Sequence, residues 1–226
     1  MNFDISKSEA SEVTKNNLEN YKKVKPETDT TYKESKNFVE KIFNKFKEDD
    51  SKFEFGGKYV DYETRLSGTP VEGDRGYYEG AERGESKFIP SESNEKGREC
   101  KEALNEKGLT GIEYKNAEPD FSKCAEASVS IDHMTEERYG DDGNFAQADR
   151  KLAETWNSQE KDGRSDWNEE AISNYRKENY LTWHERCDTV HMDLVDHRIH
   201  DYCNHYGGCA ECKARDNVGN GGVFDE

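Results

Sequence analysis

Five of the six histidines in this 226-residue chain fall between Tyr180 and Arg215: His184, His191, His197, His200 and His205. Four of its six cysteines, Cys187, Cys203, Cys209 and Cys212, fall there too. Imidazoles exchange protons near neutral pH and bind metal ions, and thiolates attack carbon or bind metal. A stretch that gathers both points to proton transfer or metal-assisted chemistry. The rest of the chain is read for the elements that must hold it in place.

Within the stretch, Tyr180 to Glu185 reads as a strand: Tyr180, Thr182 and His184 point one way, and Leu181 and Trp183 the other. Arg186 to Val190 reads as a turn. His191 to Val195 reads as a second strand, with Met192 and Leu194 on its apolar face. Asp196 is suited to cap a helix running from about His197 to Asn204. Strand, turn, strand and helix form a compact ββα unit, which brings His184 and Glu185 close to His200 and His205. Trp183, on the other face, is expected to pack in the core. His191 and His197 are expected at the margin, and His133 at the surface beside a strand end.

Upstream, Phe38, Val39, Ile42, Phe43 and Phe46 form one apolar stripe at helical period. Residues 1–50 are therefore expected to be a helical segment, broken near Pro26. Residues 51 to 95 interleave glycines with aromatic residues and predict short strands and tight turns. Arg83 and Glu85 are expected to form a local ion pair. A helix is expected from Lys96 to Lys107, a strand at Ile112 to Tyr114, a turn at Pro119 to Phe121 and a strand at Ala127 to Ile131. Phe145 to Trp156 has a helical apolar face. A further helix follows, with Asp166 as its N-cap and Glu169 closing a capping box. The fold class is α+β: a mostly helical chain with short strands and a C-terminal ββα unit. The expected division is a helical segment over 1–50, an α+β region over 51–160, and the ββα unit over 161–226.

Charged residues make up 37% of the chain and hydrophobic ones 31%, which predicts a modest core and long surface helices. The net charge of −17 argues against a broad basic surface that would bind nucleic acid without selectivity. It does not exclude an enzyme that grips one phosphate through a metal ion. No apolar run reaches the roughly eighteen residues of a transmembrane helix, and Met1 to Asn17 lacks the apolar stretch of a signal peptide.

The series Thr182-Trp183-His184-Glu185, Met192-Asp193-Leu194-Val195, Ile199-His200 and His205-Tyr206-Gly207-Gly208 resembles the HNH/endonuclease VII nuclease superfamily. It is most similar to the toxin nucleases with a Trp-His-His or Trp-His-Glu motif, found at the C-terminal ends of bacterial polymorphic toxins. The resemblance covers Tyr180 to Cys212. The chain departs from the pattern at Asp196, where that family often has proline, and at Glu185, which replaces a second histidine. The resemblance implies metal-dependent hydrolysis of phosphodiester bonds in DNA or RNA, with magnesium or zinc as the divalent ion. It implies a catalytic set of His184 and Glu185, and a metal set of His200, His205 and Glu185. Either His184 is the general base, or His184 is a ligand and Glu185 the base. It also implies a nucleic-acid substrate, a cognate immunity protein, and delivery from a bacterial cell into a target-cell cytoplasm.

A second reading starts from Cys209-x2-Cys212. With Cys187 and Cys203 in reach, four thiolates, or three with one histidine, could bind a structural zinc ion. The protein would then be a zinc-stabilised acidic module that binds a protein partner without catalysis.

Overall fold

The computed structural model describes residues 55–80 and 82–220. The helix expected over residues 1–50 lies outside the described residues. Two antiparallel sheets with helices around them give the α+β class expected from sequence. In chain order the elements are α1 (Tyr62–Gly68), β1 (Gly76–Glu79), β2 (Lys87–Pro90), α2 (Glu95–Glu106), β3 (Ile112–Lys115), β4 (Glu118–Asp120), β5 (Ala127–Ser130), α3 (Asn144–Ser158), α4 (Glu169–Glu178), β6 (Leu181–Glu185), β7 (His191–Asp196), α5 (His197–Tyr202) and α6 (Gly208–Asn220). Among the described residues no helix is long and apolar enough to cross a membrane.

The first sheet has the order β1-β2-β3-β4 and the second β5-β7-β6. In the second, Trp183 lies opposite Leu194, His184 opposite Asp193 and Glu185 opposite Met192. On the other side of β7, Val129 lies opposite Met192. Period-2 alternation then sorts the side chains. Trp183, Met192 and Leu194 join a core built with α3 and α4, including Leu152, Trp156 and Ile172. Val195 and Ile199 join a different core, with Phe88, Leu104, Tyr114 and Phe121 from the first sheet and α2. The three-stranded sheet is therefore buried on both faces.

Several local expectations are corrected. Pro119 to Asp120 is strand, not turn. The turn precedes it, where Asn116 and Ala117 both have positive φ (52° and 61°) and join Lys115 to Glu118. Two left-handed residues suit the twist of a two-residue hairpin. Asn-Gly would have signalled it, and Asn-Ala does not. Pro119 is tolerated because β4 is an edge strand. Helix α1 lies where only strands and turns were expected, started by Asp61, whose side chain accepts from Thr64 N. Arg83 does not pair with Glu85. It donates to the carbonyls of Leu66, Thr69 and Pro70 and so caps the end of α1. Helix α4 is capped by Asn168, which accepts from Ala171 N, and Asp166 pairs instead with Arg164.

A buried carboxylate fixes β6 from behind. Asp149 on α3 takes two bonds from Arg176 on α4, at 2.7 and 2.6 Å, and one from the indole nitrogen of Trp183 at 2.8 Å. Asp149 is 2% exposed, so this bidentate pair is largely desolvated. Removing one partner of such a pair strands the other charge. Asp149→Ala is expected to cost about 3–5 kcal/mol of unfolding free energy in urea titrations. A loss below about 1 kcal/mol would show that the pair does not hold β6.

Candidate active site

Strand β6 carries His184 into the interior on the face away from Trp183. Asp196 then stops β7 and starts α5: its side chain accepts from Arg198 N at 2.8 Å. The six residues of α5 bring His200 round to face β6. The chain leaves the helix at Cys203 and turns back, so His205 arrives from the other side. Gly207 and Gly208 permit this return. A Cβ on Gly207 would lie 2.6 Å from the carbonyl oxygen of Glu185, and one on Gly208 2.6 Å from that of Arg186. Neither position has room for a side chain.

The structure brings His184, His200 and His205 together. One ring nitrogen from each lies within 4.8 Å of the others, the only such group of three or more metal-capable side chains among the described residues. Ring centroids are 4.6 Å apart for His184–His205, 5.3 Å for His200–His205 and 5.7 Å for His184–His200. Phe121 forms an apolar wall behind all three, at 4.8 Å from His184. Sequence reading placed Phe121 in a turn and missed it; the register of β4 on β3 gives it this place.

Each ring has a distinct environment. His184 is fully buried, and neither of its nitrogens has a hydrogen-bond partner. Leaving such a buried group unmade costs on the order of 1–3 kcal/mol. His205 Nδ1 lies 2.9 Å from the carbonyl of Cys203. A carbonyl only accepts, so Nδ1 carries the proton and Nε2 keeps its lone pair for a ligand. His200 borders Asp201 and is partly open to solvent. Burial, then the charges His205 and His200 would carry, holds His184 well below the ordinary histidine range. Burial and His200 push His205 down to about 3. His184 and His205 are therefore neutral at physiological pH, the state in which imidazole binds metal. An orphaned imidazole, a fixed tautomer and three converging nitrogens fit a divalent cation.

Glu185 is not brought into this group. It lies on the opposite face of β6, is 2% exposed, and accepts from Arg138 Nε at 3.1 Å and from the Cys209 thiol at 3.3 Å. The physical reason is strand alternation: adjacent residues of β6 cannot share a face. Arg138 itself is 45% exposed on its side chain, and its charge bears on both His184 and His205. It pairs with the residue that follows His184 in β6. Sequence reading passed over Arg138, because it sits in a loop with no motif and is joined to Glu185 only in space.

The four cysteines do not assemble into a metal group. Cys187 Sγ contacts the carbonyl of Tyr206, Cys203 lies against Cys100 in the first core, and Cys209 meets Glu185. Cys212 contacts the carbonyl of Met134. The Cys-x2-Cys pair rides on α6, which sends the two thiols to different neighbours. His191 pairs with Asp188 in the hairpin turn, His197 stacks on Tyr180, and His133 is exposed.

Residues 111–207 match a family model described as the DNase/tRNase domain of colicin-like bacteriocin. The matched stretch contains β3 to α5 and all three clustered histidines. It supports a nuclease domain of the toxin kind. No curated protein and no solved structure matches the chain.

The depressed histidine pKa values set a pH dependence for the metal-free protein. Unfolded histidines take protons near pH 6.5, whereas folded His205 takes one only near 3. Between those values the unfolded chain binds more protons, so stability rises with pH. The contribution is complete above about pH 6.5 and is lost as pH falls toward 3. Buried Glu118, whose pKa is raised to about 7, acts in the opposite sense. Melting curves in EDTA from pH 7 to 4 are expected to fall less steeply for His205→Gln than for the parent. Parallel slopes would contradict the assignment.

Proposed function

We propose that this chain is a metal-dependent endonuclease of the HNH type that hydrolyses phosphodiester bonds of DNA or RNA as an antibacterial toxin domain. One observation carries the reading: three ligand-type imidazoles converge on one point within the stretch that is similar to the nuclease family. The non-catalytic zinc module is not favoured, since its four thiols have separate partners.

His184, His200 and His205 would hold the divalent ion. When bound, the ion would supply Lewis-acid stabilisation of the negative charge that builds up on the phosphate. Arg138 would donate charge-assisted hydrogen bonds to phosphate oxygens, which bear the same sign of charge as Glu185. These two cationic features would let a chain of net charge −17 accept a polyanion locally. Of the two assignments open in the sequence, burial of His184 among the other imidazoles favours the ligand role. By the second assignment Glu185, the last residue of β6 and paired with Arg138, would then be the base that takes a proton from water. A toxin of this kind also needs a cognate immunity protein in the producing cell and delivery into a target cell. The ββα unit over 161–226 would carry the site.

Purified protein is expected to degrade plasmid DNA or total RNA with magnesium, manganese, nickel or zinc, and to stop in EDTA. Bound metal should also raise the melting temperature. His184→Ala should lose both the thermal shift and the cleavage, the latter by about 100-fold or more. Glu185→Gln should lose cleavage yet keep the shift. Absence of cleavage with every metal would overturn the nuclease reading, and loss of the shift in Glu185→Gln would return Glu185 to the ligand set.

A further inference from the structure

The loop from Ile131 to Gly143 carries Arg138, and its backbone is fastened to the first turn of α3 at several points. The start of an α-helix leaves N–H groups without intrahelical partners. Gly143, the N-cap of α3, has no side chain to satisfy them. The loop does so itself: Asn144 N donates to the carbonyl of Glu137 and Phe145 N to that of Arg138, each at 3.0 Å. The second bond fixes the backbone of the residue that pairs with Glu185. Gly143 cannot be exchanged here, since a Cβ would lie 2.6 Å from the carbonyl group of Tyr139.

Asn144 adds a side-chain grip. It is fully buried. Its Oδ1 accepts from Thr135 N at 3.0 Å, and its Nδ2 donates to the Thr135 carbonyl at 2.9 Å, so one amide pairs both ways with one loop residue. The same Nδ2 lies 3.5 Å from Cys209 Sγ, which in turn lies 3.3 Å from Glu185 Oε1. Glu185 is the carboxylate that Arg138 binds. Asn144 therefore touches both supports of Arg138: the loop that carries its backbone and the thiol beside its counter-ion. A buried amide costs free energy unless satisfied, so it holds this arrangement in a single geometry.

We infer that Asn144 is a positioning residue that holds Arg138 at the edge of the histidine cluster, where it receives a substrate phosphate. This rests on the nuclease reading above. Asn144 itself does not touch the reacting atoms. Its removal should therefore mimic the loss of Arg138 and leave the histidine cluster intact.

A double-mutant cycle tests this, with wild type, Arg138→Ala, Asn144→Ala and the double variant. A fluorescent oligonucleotide, DNA or RNA according to which is cleaved, serves as probe. Its affinity is read by anisotropy in EDTA and its cleavage as kcat and KM with metal. Nickel affinity is read by calorimetry. Arg138→Ala and Asn144→Ala are each expected to weaken oligonucleotide binding and raise KM by about tenfold or more, the scale of one charged hydrogen bond. Nickel affinity should stay within about twofold, and the double variant should be no worse than Arg138→Ala, since coupled residues are non-additive. Asn144→Asp, which keeps the acceptor for Thr135 N, serves if the alanine variant does not fold, and the same non-additivity is expected of it. The inference is overturned if Asn144 variants leave binding and KM unchanged, if their losses add in full to that of Arg138→Ala, or if nickel affinity falls alongside. A large effect of Arg138→Ala with none from Asn144 sinks only the positioning role. A wild type that neither binds nor cleaves sinks the nuclease reading, and this role with it.

Discussion

Strand β6 is buried on both faces, and the two faces do different work. An antiparallel sheet commonly leaves one face to water. Here α3 and α4 cover one side, and the first sheet with α2 and α5 covers the other. The alternation of one short strand then feeds two environments. Trp183 and Glu185 face the helices, where Asp149 and Arg138 meet them. His184 faces Phe121 and the other two imidazoles. A shift of one residue would exchange these partners, placing an indole in the histidine cluster and an imidazole against Asp149. The register of β6 on β7, pinned by the Asp149 bond to Trp183, is what makes the site.

The cluster is costly as it stands. It buries an imidazole with no hydrogen-bond partner and sets two more within 6 Å of it. Neither pairing with a carboxylate nor solvent relieves His184. Such an arrangement is stable only because the surrounding core is large enough to impose it, as sites that store strain or desolvation require. A cation held by the three ring nitrogens would offset that cost and tie metal affinity to folding. Phe121 contributes by keeping water from the rear of the rings, and lower polarity there strengthens the attraction between a bound cation and an anion.

Regions upstream of the ββα unit are structural partners of the site. Strand β5 completes its sheet, β4 leads into Phe121, and the loop before α3 supplies Arg138. Buried Glu118 accepts from Cys187 N at 2.8 Å and from Gly56 N at 2.7 Å, which ties the hairpin of the unit to the first described residues. Glu211 likewise accepts from Tyr59 N and Val60 N. The family match starting at residue 111 spans only part of this network.

Local pattern carried much of the protein. Alternation marked β6, β7 and β5, helical period marked α3, and Asp196 announced α5, because these depend on neighbours in sequence. From them the meeting of His184, His200 and His205 was legible, since a ββα unit is local. The Asn116-Ala117 hairpin and the Asn168 cap were not, because competing turn residues stood beside them. The sequence also grouped Glu185 with the histidines and the four cysteines with one another, on proximity along the chain. Tertiary structure separated them: pleating turns adjacent residues to opposite faces, and a helix disperses thiols that look paired. Only packing chose Arg138 and Phe121, whose partners lie tens of residues away. Residue chemistry and short-range period determined which groups could act, whereas long-range burial and charge decided which of them share one site.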